Sequence, residues 1–280
     1  MRTDYLQMKI PRSLTAALQL LQQYTAQGGH YYWISGEVSR KQMDGFLTAA
    51  AKQYSILKDA PARAHDKTVG RASVHLTFVP NADKADSLVW VLQSSAGKGG
   101  LADSPWKDYE TKDTREQHQW LTIGPYQLYH YSRRVKEWGK PKPAADGKKT
   151  KPDFAKRDQP GGRGWQEKAT WTWRINDQRF REYEKYVYEL AKQHNNEALQ
   201  EFVHLLAQLP LFSRLKAQVY KLHQEAGKLW KKWNCPGTLQ FPPLPSLHKQ
   251  RVYDNPPYTV ADWLNKSAPS QQPVPPVNLS

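Results

Sequence analysis

The order of strands and helices between residues 30 and 94 constrains the fold more than any other feature of the sequence. The segment HYYWISGEV at 30–38 is β-branched and aromatic, which predicts a strand. Ser39 and Gln42 form a capping-box pattern, and apolar residues at helical spacing then predict a helix. Two more strands, at 73–79 and 87–94, flank the turn residues PNADKAD and predict a hairpin. This order is the first half of a ferredoxin-like unit, a plan shared by many RNA-binding modules, and it predicts an α+β fold with an antiparallel sheet.

The chain is predicted to have three parts. Residues 1–175 form the antiparallel α+β domain, which begins with a helix capped by Ser13. Residues 176–234 carry three amphipathic helices. Residues 235–280 are rich in proline and end in a segment with too little apolar content to fold, so a disordered, extended tail is predicted, with one further helical turn at TVADWLNK.

A basic insertion at 133–168 interrupts the second group of strands. These strands are predicted at 118–123, 126–132 and 169–175. The insertion contains twelve Lys or Arg against five Asp or Glu. A segment rich in Pro, Gly and Lys with few aromatic side chains cannot recover the entropy of ordering by packing. A mobile basic loop between two strands of a long hairpin is therefore predicted.

The third C-terminal helix, at about 213–233, has an apolar side and a cationic side. Its apolar seam consists of Leu215, Val219, Leu222, Ala226, Leu229 and Trp233. At 100° per residue, four cations lie within about 40° of one another and roughly 120° from this seam. They are Arg214, Lys221, Lys228 and Lys232. These cations are candidate phosphate contacts; the alternative is a solvated surface balanced by Glu182, Glu184 and Glu189 on a neighbouring helix. The helices are also candidate contacts for a protein partner.

The charge balance predicts a polyanionic partner. The chain has 41 Lys and Arg against 26 Asp and Glu, a net charge of +15 and a pI of about 9.7. Nucleic acid is favoured, with an anionic membrane surface or an acidic protein as alternatives. One cysteine, Cys235, excludes an internal disulfide and a thiolate zinc cluster, which fits a reducing compartment. Neither a membrane-spanning apolar run nor a signal-peptide pattern is found, so a cytoplasmic protein with no membrane partner is predicted.

The strand at 169–175 alternates two kinds of side chain. One face carries Trp171, Trp173 and Ile175, and the other carries Thr170, Thr172 and Arg174. Exposed tryptophans could stack nucleobases, but burial under the C-terminal helices is the more common fate of such a pattern. Burial would leave Arg174 and its neighbours, with the adjoining basic loop, to contact phosphates.

Two loops of the first domain carry cations. One runs from Lys58 to Arg71. The other contains SSAGKGG, in which Lys98 among glycines could present backbone N–H groups and an ammonium to a phosphate, although the P-loop pattern is not met. A plain flexible turn is the alternative.

Signals for catalysis are few. The nine histidines show no spacing of metal ligands, so no metal and no other cofactor is predicted. His75 and His130 lie on predicted strands and are candidates for proton transfer in metal-independent RNA cleavage. A histidine on a strand is more often simply hydrogen-bonded or exposed, so the sequence leaves open whether the protein is an enzyme.

Four segments carry a resemblance to a known family. They are YYWISGEV, LVWVLQSSAG, TWTWR and LPLFSRLKAQVYKL, in this order within residues 30–250. In these segments the chain resembles a family of proteins encoded on bacterial plasmids and integrative elements, which implies a mobile-element setting. The half-ferredoxin unit with a glycine-rich loop is also similar to the CRISPR repeat-associated RNA-binding proteins, including their crRNA-processing endoribonucleases. Here the glycine-rich segment lies in mid-chain, at 97–100, whereas those nucleases usually carry it near the C-terminus.

Together these observations predict a nucleic-acid-binding protein of a bacterial mobile element that grips the phosphate backbone of RNA or DNA. The alternatives are a metal-independent endoribonuclease of the crRNA-processing type and a plasmid replication or partition factor. The residues predicted to contact nucleic acid are Lys98, Arg133, Arg134, Lys136, Lys148, Lys149, Lys151, Arg157, Arg163, Arg174, Arg214, Lys221, Lys228 and Lys232.

Overall fold

The computed structural model describes residues 5–81, 84, 86–136, 165–245, 247 and 250–265; at 132–136 and 165–169 it describes the backbone alone. Helices are combined with antiparallel sheets, which confirms the predicted α+β class. The helices are α1 (Leu14–Gly28), α2 (Met43–Gln53), α3 (Ala60–Thr68), α4 (Asp177–Lys192), α5 (Asn196–Ala207), α6 (Ser213–Lys232) and α7 (Val260–Asn265). The strands are β1 (Tyr32–Ser39), β2 (Val74–Pro80), β3 (Ser87–Ser94), β4 (Lys112–Asp113), β5 (Leu121–Ile123), β6 (Tyr126–Lys136) and β7 (Trp165–Ile175).

The first sheet has the strand order β2-β3-β1-β4. β3 pairs antiparallel with both β1 and β2, so the predicted hairpin is confirmed and β3 lies between the two strands that α2 and α3 connect. This is the arrangement expected of the first half of a ferredoxin-like unit. β4 adds two residues at the other edge of β1.

A close approach between β1 and β3 explains the glycine inside the first strand. Gly36 lies opposite Trp90 in the strand register, and a Cβ at Gly36 would lie 2.7 Å from the Trp90 ring. The missing side chain lets the indole, which is 1% exposed, lie in the core with Met43 and Leu47 of α2.

The first residues of α2 and α3, the two helices between β1 and β2, differ from the sequence predictions. α2 begins at Met43 without a side-chain cap, because the Ser39 hydroxyl donates to the Gln42 amide oxygen at 2.7 Å instead of accepting from a helix N–H. The predicted basic loop after it contains α3. Asp59 caps α3 by accepting from the Ala62 N–H at 2.9 Å.

The second sheet has the order β5-β6-β7. Its strands lie where three strands were predicted, but β6 and β7 extend into both ends of the predicted basic insertion. Residues 133–136 and 165–168 are therefore strand, and the loop prediction needs correction there. The rest of the insertion, residues 137–164, lies outside the described residues.

The three predicted C-terminal helices are α4, α5 and α6. The Asn176 side chain caps α4, since its amide oxygen accepts from the Arg179 N–H at 2.8 Å. The predicted α6 seam is buried from Leu215 to Leu229, while Trp233 follows the helix end and is half-buried. The helical periodicity of the sequence thus gave the correct packing side of α6.

The residues after α6 pack against the start of the chain. The Ile10 N–H donates to the Tyr258 carbonyl at 2.9 Å. α7 confirms the predicted helical turn, and its Val260 and Trp263, which are 0% and 1% exposed, lie in the core of the first sheet. The prediction of a disordered, extended tail therefore needs correction for residues 235–245, 247 and 250–265, because a few of their apolar side chains complete a core that is distant in sequence.

The described chain divides differently from the predicted three parts. Residues up to Tyr129 and from Thr172 onward form one compact unit, and His130–Trp171 form another. The helical region is not separate from the first domain; for example, the Trp173 indole N–H donates to the Leu18 carbonyl of α1 at 2.9 Å. Residues 266–280 lie outside the described residues. Among the described helices, none has the length and apolar character needed to span a membrane.

Candidate nucleic-acid interface

The four predicted cations of α6 are exposed along one side of the helix. Arg214, Lys221, Lys228 and Lys232 are the members of this row. From first to last they extend about 27 Å at 1.5 Å per residue. The opposite side of α6 is buried, as predicted from the apolar seam.

α4 lies beside α6 and runs in the same direction. Near the start of α4, Phe180 and Glu184 contact Lys221, and near its end Tyr188 contacts Trp233. Three exposed cations of α4, Arg181, Lys185 and Lys192, lie about 80° around the helix from this line of contact and away from the buried side. They adjoin the α6 row. We call the seven cations of the two rows the helical basic surface.

Sequence reasoning missed the α4 row. The sequence prediction assigned α4 only the balancing carboxylates. The helical spacing of Arg181, Lys185 and Lys192 places these cations on one side of α4 and is the signal that identifies the row. Of the predicted balancing acids, Glu184 reaches the α6 row. Glu182 is paired with Arg179 on the same helix.

Two members of the helical basic surface have carboxylate partners. The Lys221 ammonium lies 2.8 Å from Glu184, and the Lys228 ammonium lies 3.7 Å from Glu225. The lysine side chains are 64% and 74% exposed, and exposed pairs of this kind contribute about 0–1 kcal/mol. Phosphate groups can therefore replace these carboxylates at little cost.

Aromatic rings lie between the two rows. The Lys221 ammonium is 5.0 Å from the centroid of the Phe180 ring, and that of Lys232 is 5.4 Å from the Trp233 ring. The Tyr188 ring, 37% exposed, meets Trp233 edge to face at 6.2 Å. A surface that combines cations with accessible rings can contact both phosphates and bases.

Lys98 lies in a different environment from the helical cations. Its loop is bridged to Arg71, and the backbone N–H groups from Lys98 to Leu101 donate to partners within the first domain. Two examples are the bonds from Lys98 to the Gly70 carbonyl and from Gly99 to the Asp103 carboxylate. The predicted cradle of backbone N–H groups is thus already hydrogen-bonded, and the loop would offer a phosphate the Lys98 ammonium.

The predicted phosphate-binding face of β7 is largely covered. Trp173 is fully buried, which confirms the burial interpretation of the aromatic face. On the other face Thr172 is 2% exposed and hydrogen-bonds Ser213 at 3.1 Å. The Arg174 guanidinium lies over the Trp120 ring and is 3.0 Å from Asp177, so it is not a solvent-facing phosphate contact as predicted.

The predicted contacts in the basic insertion are not described by the structure. Arg133, Arg134 and Lys136 belong to β6, which is described there by its backbone alone. The remaining five, Lys148, Lys149, Lys151, Arg157 and Arg163, lie outside the described residues.

His75 is held in a cluster that removes its acid–base capacity near neutral pH. An Arg63 Nη1–H donates to His75 Nδ1, which therefore carries no proton, because a guanidinium has donors only. The Tyr24 ring stacks on the imidazole with centroids 3.9 Å apart. Burial, together with the charges of Arg63 and His30, lowers the pKa of His75 to about 2. A group with this pKa cannot act as the predicted general base or acid at neutral pH.

Arg63 is the centre of this cluster. Its other N–H groups donate to the carbonyls of Lys58, Val74 and Ile56 at 2.6, 3.0 and 2.8 Å. The guanidinium thereby joins α3 to the start of β2. The other candidate for proton transfer, His130, is exposed. Its ring lies 5.1 Å from the ring of Trp171, and an indole neither accepts nor supplies a catalytic proton.

Comparison with known proteins adds no family to these observations. No protein-family model, curated protein or solved structure matches the chain. Over the part of the chain that the structure describes, no group of three or more His, Cys, Asp or Glu side chains could hold a metal ion.

Proposed function

We propose that the protein binds nucleic acid through the helical basic surface, as a protein of a bacterial mobile element. The observation that supports this is the alignment of seven exposed cations on two neighbouring parallel helices. Half-buried carboxylates near them include Glu184, Glu189 and Glu225. Lysine and arginine side chains in such a row neutralise successive phosphates and release condensed counterions. The mobile-element setting comes from the family resemblance and stays a prediction.

The surface favours binding to the backbone of nucleic acid more than reading of one sequence. Its cations are exposed, flexible side chains, which suit phosphate contacts that carry no sequence information. The rings of Phe180, Tyr188 and Trp233 add contact area for bases without selecting one base. The protein is therefore proposed to be a general nucleic-acid-binding protein, with RNA or DNA as partner.

The test is the salt dependence of binding to labelled RNA and DNA. We expect log affinity to fall linearly with log salt, by about 0.7–0.9 for each phosphate neutralised. Replacing Arg181, Lys185, Lys221 and Lys228 with Gln should weaken binding at least about tenfold and reduce the slope by about one per lost contact.

The matched control removes the same net charge elsewhere. Its substitutions are Lys41→Gln, Lys52→Gln, Lys67→Gln and Lys107→Gln, all at exposed positions of the first domain. We expect this variant to keep most of the affinity, because the local surface and not the net charge is proposed to bind. Equal losses in both variants, or a wild-type slope below about two ion pairs, would remove the proposal. A strong preference for one duplex sequence over bulk DNA would favour a replication or partition factor instead.

A further inference from the structure

A cavity of about 350 Å³ lies beside the start of α4. Its lining consists of Gln117, His118, Trp120, Gln127, Arg174, Asn176, Asp177 and Gln178, and it is therefore mostly polar. These residues come from the segment before β5, from β6, from the end of β7 and from α4. The packing that covers the predicted phosphate-binding face of β7 thus builds a cavity with side chains converging from four segments.

Arg174 presents a flat cation in this cavity. The carbon of its guanidinium lies 4.7 Å from the Trp120 ring centroid and 5.2 Å from the Tyr129 ring centroid. Its Nη2 donates to Asp177 at 3.0 Å and to Gln127 at 3.3 Å, which fixes the plane of the group. A fixed guanidinium beside an indole is a surface on which a planar, electron-rich ring can stack.

The polar groups of the lining match the edge of a nucleobase. Gln117, Gln127 and Gln178 carry carboxamides, which have both donors and an acceptor. Gln127 Oε1 accepts from Arg174 and Gln178 Nε2 donates to Glu182 at 3.1 Å, so a base would bond the remaining donors and acceptors of these groups. Carboxamides form paired hydrogen bonds with bases, and single-stranded bases stack on aromatic rings and on arginine planes. The combination of stacking group and carboxamides distinguishes this cavity from a site for a bare phosphate.

The cavity is continuous with the helical basic surface along α4. Asp177 and Gln178 form the first turn of α4, and Arg181 follows within one turn, about 5.4 Å further along the axis. Lys185 and Lys192 continue the row. A single-stranded nucleic acid whose phosphates lie along this row would place one of its nucleotides, at its end or within it, at the cavity.

We propose that this cavity takes the base of one unpaired nucleotide, so that the ligand of the protein is a single-stranded nucleic acid. The inference rests on the proposed nucleic-acid binding and gives it a ligand class. A volume of about 350 Å³ is at the lower end of ligand sites and has room for one base, whereas a base pair in a duplex cannot enter it. The Arg174 plane stacks on the base, and the carboxamides bond its edge.

The test places one abasic nucleotide at each position in turn of a labelled 12-nucleotide single strand, as RNA and as DNA. An abasic site keeps the phosphate and removes the base. We expect a loss of affinity of about five- to a hundredfold that depends on position and is largest where the cavity is filled. The RNA and DNA series show which sugar is accepted. A duplex of equal length should bind more weakly.

Two variants link this loss to the cavity. Arg174→Lys keeps the charge but removes the plane, and Gln178→Leu removes one carboxamide; in both, intact and abasic strands should bind more nearly alike. Gln193→Leu, at an exposed position beyond the other end of α4, is the matched control and should leave the difference unchanged. Thermal unfolding of each variant verifies that the chain is folded.

The outcomes separate this inference from the proposed function. Salt-sensitive binding that is equal for intact strands, abasic strands and duplexes would overturn the cavity proposal and leave nucleic-acid binding in place. If no strand binds, nucleoside monophosphates at millimolar concentration are tested by saturation-transfer NMR. A signal lost in Arg174→Lys would support the cavity while the proposed function fails, and no signal would overturn both.

Discussion

Two cation-rich regions of this protein use their charges in different ways. Around α3, Lys58 and Arg71 lie 2.6 and 4.0 Å from the carboxylate of Asp66, whose side chain is 5% exposed. Arg63 donates to three backbone carbonyls in the same region. On the helical basic surface, by contrast, the cations are exposed, and the carboxylates of Glu184 and Glu225 that pair with two of them are 35% and 43% exposed. A count of lysines and arginines therefore measures the charge of a region but not its availability to a ligand.

The comparison gives the two regions separate roles. Cations near α3 stabilise the first domain, because they satisfy buried acceptors. Cations on α4 and α6 are proposed to bind phosphates, because little structure depends on them. Four predictions test this division, in order of decreasing expected effect.

The largest effect is expected for Arg63→Met. Removing the guanidinium leaves the carbonyls of Ile56, Lys58 and Val74 without these donors, and we expect the free energy of unfolding to fall by about 3 kcal/mol or more. Urea unfolding measures it. Lys185→Met is the control and should change stability by less than about 0.5 kcal/mol. Nucleic-acid affinity of folded Arg63→Met should match wild type; a loss there would contradict the division of roles.

The second prediction concerns pH. The folded chain lowers the pKa of His75 from 6.5 to about 2, so between these values the unfolded chain binds a proton that the folded chain does not. Stability is then fully present above pH 6.5 and falls with acid by up to about 1.4 kcal/mol per pH unit from this group. Stability measured from pH 7 to 4 should show a smaller slope in His75→Gln.

The control for the pH prediction is Ala64→Ser, which changes an exposed position of α3 without removing a titratable group and should keep the wild-type slope. The helical basic surface contains only lysine and arginine, whereas the cavity beside α4 is lined by His118. The affinity for a duplex, which cannot enter the cavity, should therefore not depend on a histidine titration between pH 5 and 8. An unchanged slope of stability with pH in His75→Gln would show that the folded chain does not hold His75 neutral.

A single-cation comparison is expected to give a smaller effect. Lys185→Gln should reduce the salt slope of nucleic-acid binding by about one and weaken binding a few-fold. Lys58→Gln removes the same charge from the α3 region and should leave the slope unchanged, because Lys58 is 32% exposed and lies 2.6 Å from the buried carboxylate of Asp66. Identical slopes in the two variants would mean that both regions contact the ligand.

The smallest effect is expected for Glu184→Gln. This change releases Lys221 from a pair that contributes about 0–1 kcal/mol, so stability should change by less than about 0.5 kcal/mol. Affinity for nucleic acid should rise by about two- to threefold at low salt. Glu201→Gln, at an exposed position of α5, is the control and should leave the affinity unchanged. A fall in affinity after Glu184→Gln would show that the nucleic acid does not bind beside Lys221 on the helical basic surface.

Elements with strong local signals could be predicted from the sequence. The cap at Ser13, the β2–β3 hairpin and the seam of α6 all follow from short-range patterns. α3 could not be predicted in this way. Asp66 is its one buried residue, so the helix has no apolar stripe that a pattern would reveal. It is held by contacts with Asp59, Lys58 and the start of β2 that become visible only in three dimensions.

The candidate site could be predicted in part, because some of its residues also follow short-range patterns. Helical periodicity placed the α6 cations on one side, and strand alternation placed Arg174 opposite Trp173. Neither pattern shows what covers a face. Trp120, which precedes β5, and Tyr129 of β6 decide that Arg174 faces a cavity and not bulk solvent. His75 likewise owes its low pKa to burial and to the charge of Arg63, which lies on a separate element.

The position of α7 has a consequence for how the chain folds during synthesis. The three long strands of the first sheet have been translated by Ser94, but Trp263, which lies in their core, is translated only after α6. A nascent chain can thus form the α4–α6 bundle while the older sheet still lacks an interior side chain. A chain shortened before α7 would keep that opening in its apolar core permanently, and would be a poor starting point for studying the first sheet alone.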